Sequence, residues 1–186
     1  MQEVDNIIRI LRETRKALDK DNSYKIKLLS DQTIHTAAVY QDNDNVIVAV
    51  LVYAIGKIIE RENYRELPGW REFYSSLIKN LELAISSLEQ ANLERFRDSE
   101  KNIRLAINRI DSKLKDYIED IFKKARINKA SKIYEHGLSL EKTAELLGSD
   151  LWDLSTYIGQ SSYTGEVSES LDIKRRIKLA EGMFEK

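Results

Sequence analysis

Residues 46–56 read VIVAVLVYAIG. Such β-branched content favours a strand. The run continues without a breaker into KIIEREN at 57–63, which keeps a helical pattern. We read a buried core helix over 46–63, in which tertiary burial overrides strand propensity. Its eleven uncharged residues, ending at Lys57, are too few to span a bilayer.

The rest of the chain supports the helical reading. One proline and seven glycines in 186 residues point to long, uninterrupted elements. Glu, Lys, Arg, Leu and Ala are abundant and favour helix. The expected fold class is all-α. Val4, Ile7, Ile8, Leu11 and Leu18 place one apolar face on a first helix over 2–19. DKDNS at 19–23 is a break. YKIKLLS at 24–30 alternates like a strand, but an isolated strand there has no evident partner, so we read helix. Asp31 is expected to cap a helix reaching Tyr40, and QDNDN at 41–45 is a turn rich in capping residues. Pro68-Gly69 forces a turn, and a helix starts at Trp70 and runs to about residue 91. From Phe96 through Ile103, Ile107, Ile110, Leu114, Tyr117 and Ile121 the apolar steps predict one long amphipathic helix over 93–125. That helix suits antiparallel packing or pairing with a second chain.

The pattern restarts near 127–130, so residues 1–125 are read as a helical bundle, an oligomerisation or partner platform, and 126–186 as a separate module. RINKASKIYEHGLSLEKTAELLGSDLWDLSTYIGQ at 126–160 reads as three short helices whose later part fits a helix-turn-helix. Ala144 is small where a following helix must pack on it. Gly148 stands four residues on, where a left-handed backbone is needed. Leu151, Leu154 and Ile158 give the next helix an apolar stripe, and Leu138 and Leu147 complete the small core. Ser149 stands after the turn glycine where an apolar residue is usual. A helix-turn-helix presents its second helix to the major groove of DNA. The residues placed to read base edges are Trp152, Ser155, Thr156 and Gln160. None is cationic, so Lys142 and, in the basic run KRRIK at 174–178, Arg175 and Arg176 are the candidates for phosphates. A loop-like SSYTGEVSES and a final helix over 172–184 carry that run.

LSLEKTAELLG at 138–148, LWDLSTYIGQ at 151–160 and KRRIKLAEGMF at 174–184 resemble the C-terminal part of small prokaryotic, especially archaeal, antitoxin-like proteins that accompany PIN-domain ribonuclease toxins. The resemblance covers about a third of the chain. It implies a helix-turn-helix that binds the promoter of its own operon and a flanking segment that wraps a protein toxin. The expected function is therefore DNA binding by an antitoxin-type autoregulator, acting on double-stranded DNA as a homodimer with two half-sites. The alternative is a non-enzymatic adaptor that uses the same fold to bind protein and not DNA. The charge balance favours that alternative. The chain carries 30 basic and 31 acidic residues, and 126–186 alone carry nine and ten.

Enzyme classes find little footing. The absence of cysteine excludes disulfides, thiolate zinc sites and cysteine nucleophiles, and fits a cytoplasmic protein. No secretory leader is expected, because residues 1–12 carry acids and lack a long apolar run. There is no glycine-rich phosphate loop and no nucleophile elbow. Asp31 and His35 could share a helix face, but two groups are short of a metal site, and no Glu has a His three residues on. His136, beside Gly137, is expected to bond the last carbonyls of a helix. No catalytic residue, metal or cofactor is assigned. Tyr64, Trp70, Phe73 and Tyr74 around the Pro-Gly turn are read as a helix-corner core.

Overall fold

A computed structural model describes residues 1–109 and 113–163. Among them the chain forms nine α-helices and no strand. They are α1 (Val4–Asp19), α2 (Ser23–Asp31), α3 (Ile34–Tyr40), α4 (Asn43–Ile59), α5 (Trp70–Glu89), α6 (Leu93–Asn108), α7 (Lys113–Glu135), α8 (Leu140–Leu147) and α9 (Leu151–Tyr163). A short 3-10 helix, Glu62–Glu66, joins α4 to the Pro-Gly turn.

The β-branched run is helix, and burial is the reason. Val48, Ala49, Val52, Ala54, Ile55 and Ile58 of α4 have no exposed surface. A helix apolar on all sides belongs at the centre of a bundle. Around α4 pack α1, α2, α3, α7 and α8. The closest approach is to α2, where a Cβ placed on Gly56 would lie 2.8 Å from Lys27 Cγ and 3.3 Å from the Ser23 carbonyl oxygen. Antiparallel α5 and α6 form the other large contact, with Phe73 and Phe96 sealed inside. Trp70 stacks on Tyr74 at 5.7 Å between ring centres, and Tyr64 stacks on Tyr117 at 5.3 Å, so the aromatic corner is core. No helix among the described residues is long and apolar enough to cross a membrane.

The breaks have local causes. The Asn22 side chain accepts from the Lys25 amide, the Asp42 carboxylate from Asp44 and Asn45, and the Asn92 side chain from Arg95. Each satisfies donors that a helix start leaves without a partner.

Three expectations change. The helix predicted over 93–125 is two: α6 ends at Asn108, where the Arg109 amide bonds back to Ala106 and Ile107, and α7 resumes at Lys113. Ile110, one step of the apolar pattern, lies outside the described residues. Nor does the chain restart at 127–130. Ala125, Ala130 and Ile133 stay buried along one continuous α7, which crosses position 126 without interruption. Asp31 is not a cap. It is the last residue of α2, and its carboxylate meets Lys129 Nζ at 2.6 Å and Lys132 Nζ at 2.8 Å. The His35 side chain lies outside the description.

Candidate functional site

The last two described helices are set by small local devices. Ser139 caps α8 by accepting from the Lys142 amide at 3.2 Å. At the other end Gly148 takes φ 56, and the Ser149 amide reaches back to the Ala144 carbonyl at 3.0 Å. Together these close the helix and reverse the chain. Asp150 then caps α9, accepting from the amides of Trp152 at 2.8 Å and Asp153 at 3.2 Å. Leu154 has no exposed surface, and Ala144 and Leu147 are buried with it. Of the stripe inferred from spacing, Leu154 faces inward and Ile158 packs half-buried against the core, whereas Leu151 is 44% exposed.

What α9 leaves outside is a cleft of about 620 Å³ shared with α4 and α7. Trp152, Thr156 and Tyr157 form one wall, and Tyr53 lies across from them. Trp152 is 78% exposed, the most exposed of the large apolar side chains among the described residues. Four cations line the same cleft: Lys57 of α4, Arg61 just beyond it, and Lys123 and Lys124 of α7. They are tethered by ordinary surface contacts. Lys57 meets Glu60 at 3.1 Å, Lys124 meets Asp120 at 2.7 Å, and Lys123 meets Asp153 at 3.3 Å. The Arg61 guanidinium donates to the Lys57 carbonyl at 3.0 Å. Exposed pairs of this kind are worth little and open readily to a competing anion.

The Tyr53 side of the cleft is braced from beneath. Lys129 has no exposed surface, yet its ammonium sits 4.1 Å from the Tyr53 ring centre and bonds Asp31. Burial pulls the ammonium down to about 8 against the opposing pull of Asp31. Burial also raises the Tyr53 hydroxyl, keeping it a neutral donor.

The residues expected to act are only partly brought together. Trp152 and Thr156 share the cleft. The Ser155 hydroxyl is turned back to the Trp152 carbonyl at 2.9 Å. Gln160 lies on α9, its side chain outside the description. Lys142 pairs with Glu145 at 2.8 Å on α8 and does not line the cleft. Arg175 and Arg176 lie outside the described residues. The cations that do reach Trp152 come from positions 57–61 and 123–124. Their charges look like any solvated helix face in the sequence, and only the packing of α4 and α7 against α9 gives them a common target.

His136 Nδ1 donates to the Lys132 carbonyl at 2.8 Å, at the end of α7. No group of three His, Asp or Glu side chains among the described residues could hold a metal ion. Compared with known protein families, with curated proteins and with solved structures, the chain finds no match in any of the three.

Proposed function

We propose that the chain is a DNA-binding regulator of the autoregulating antitoxin type that docks α9 and its flanking cleft on double-stranded DNA. The observation that carries this is the convergence of Lys57, Arg61, Lys123 and Lys124 on the cleft that Trp152 and Thr156 line. Phosphates supply most of the affinity of such complexes, and the α8–α9 region by itself offers few cations for them. The α4 and α7 cations supply candidates for them beside α9. Thr156 carries a hydroxyl for a base edge, and Trp152 an apolar surface for a thymine methyl or a sugar. Two copies, reading half-sites a helical turn apart, would bring the affinity of a specific complex.

The alternative, an adaptor that binds protein only, draws support from the acids Asp120 and Asp153 in the same cleft and from the neutral overall charge.

Fluorescence anisotropy separates the two. The full chain is titrated into its own upstream duplex and into a scrambled duplex across a salt series. The DNA reading expects a preference of at least tenfold for the native duplex. Lys123→Ala and Lys124→Ala should weaken both duplexes alike and lower the salt slope by about one each. Thr156→Ala should narrow the preference, by about 1–3 kcal/mol for a base contact. No binding at low salt would leave the adaptor.

A further inference from the structure

A second cavity, of about 400 Å³, lies on another side of the bundle between α4, α6, α7 and α8. Small-molecule sites span roughly 300–1,000 Å³ and combine apolar walls with a few polar groups. Here Val50, Leu51, Ile107, Phe122 and Leu147 are the walls. The polar groups are Glu100, Arg104, Arg126, Asn108 and Glu119. Glu100 is 94% buried, being 6% exposed, and its Oε1 has no hydrogen-bond partner. A buried polar atom left without a partner is destabilising, so its place in the cavity wall asks for an occupant that bonds it.

We propose that this cavity binds an apolar monocarboxylate, its tail among Val50, Leu51 and Phe122 and its head between Glu100, Arg104 and Arg126. Charge selects the head group. Arg104 stands one turn beyond Glu100 on α6, and Arg126 faces it from α7; both side chains are exposed at the mouth. Arginine suits a carboxylate because its N–H groups match the two oxygens. Burial, reinforced by the charge of Asp44, pushes the Glu100 carboxyl up to about 8 despite Arg104 and Arg97. At neutral pH it is therefore an O–H donor, able to give a short hydrogen bond to a carboxylate oxygen. An ammonium head would have Glu119 as a carboxylate partner but would meet two guanidinium groups and an uncharged acid. This site does not rest on the DNA-binding reading, since it shares no lining residue with the α9 cleft.

Isothermal titration calorimetry with decanoate, decanol and decylamine, each below its aggregation threshold, tests it on the full chain at pH 7. Decanoate should bind at least tenfold tighter than the other two. Arg104→Ala and Arg126→Ala, both at exposed positions that leave the core intact, should each cost tenfold or more. Glu100→Gln keeps an N–H donor in the same shape and should stay within threefold of the parent. Equal binding of decanoate and decanol would reduce the site to an apolar void and overturn the proposal. So would a preference for decylamine, decanoate binding that both arginine variants leave unchanged, or no binding by any of the three.

Discussion

Lys129 shows how one residue can carry more than its pattern reveals. In the sequence it is one lysine among many on a charged helix. In the fold it has no exposed surface and is held by Asp31 and the face of Tyr53. The two ends of this ion pair are not equivalent. Asp31 is 39% exposed and has Lys132 as a second partner, whereas Lys129 depends on Asp31 alone for a counter-charge. Burial works to raise the Asp31 carboxyl, but the hydrogen bonds from Lys129 and Lys132 prevail and hold it below the usual range. Removing the acid strands a buried ammonium, at a cost of about 3–5 kcal/mol, whereas replacing a buried ionic group by a well-packed apolar one is often near neutral. Asp31→Ala should thus lose several times more stability than Lys129→Met in urea unfolding. Equal losses would mean that Lys129 is solvated in a way its burial denies.

At the scale of elements, the helix ends are written in residues that spacing alone ranks poorly. The turns after α1, α5 and α8 all close through an amide reaching five residues back: Asn22 to Ala17, Asn92 to Ser87, and Ser149 to Ala144. Each has a left-handed residue just before that amide, and the three are Asp21 at φ 55, Ala91 at φ 54 and Gly148 at φ 56. Only Gly148 advertises itself, which is why that turn was legible and the exact close of α5 was not. A Cβ in this conformation costs about 1–2 kcal/mol, part of which glycine returns through unfolded-state entropy. Ala91→Gly should then raise stability by about 0.5–1 kcal/mol. Gly148→Ala should lower it by a similar amount, from backbone strain alone, because a Cβ there meets nothing within 4 Å. Chemical denaturation of both variants checks the pair, and a shift of the same sign in both would refute the shared geometry. The same limits explain the α6–α7 break. Ile103, Ile107 and Leu114 keep helical step across it, so periodicity could not reveal that the helix ends at Asn108.

Across the whole molecule, the all-α class was readable because composition, punctuation and apolar stripes agreed, and packing of α4 against α2 resolved the strand-like patterns at 46–56 and 24–30. The two cavities were not readable. Each joins residues more than fifty positions apart, such as Val50 with Leu147 or Lys57 with Trp152. Such meetings are set by packing and leave no local signature. Glu100 gives this hidden organisation a global readout in pH. Its folded carboxyl titrates at about 8, while the unfolded chain's titrates in the ordinary range near 4.3. Between those values the folded state holds a proton that the unfolded state has released, so stability falls as pH rises. Burial raises it most, Asp44 adds to that, and Arg104 and Arg97 oppose it. Glu13, Asp31, Asp44 and Glu60 act oppositely, since their partners hold them below the usual range and their stabilisation fades only as pH drops through those lowered values. Their effect is complete by about pH 5, and Lys129, pulled down to about 8, adds a small opposite gain only at the top of the interval, so Glu100 dominates from 5 to 8. The melting temperature of the parent chain should therefore fall by about 5–10 °C over that interval at fixed ionic strength, the equivalent of a few kcal/mol for a chain of this size. Glu100→Gln cannot titrate and should melt at nearly constant temperature from pH 5 to 8. A parent chain as flat as the variant would mean that Glu100 is ionised and already paired in the folded state.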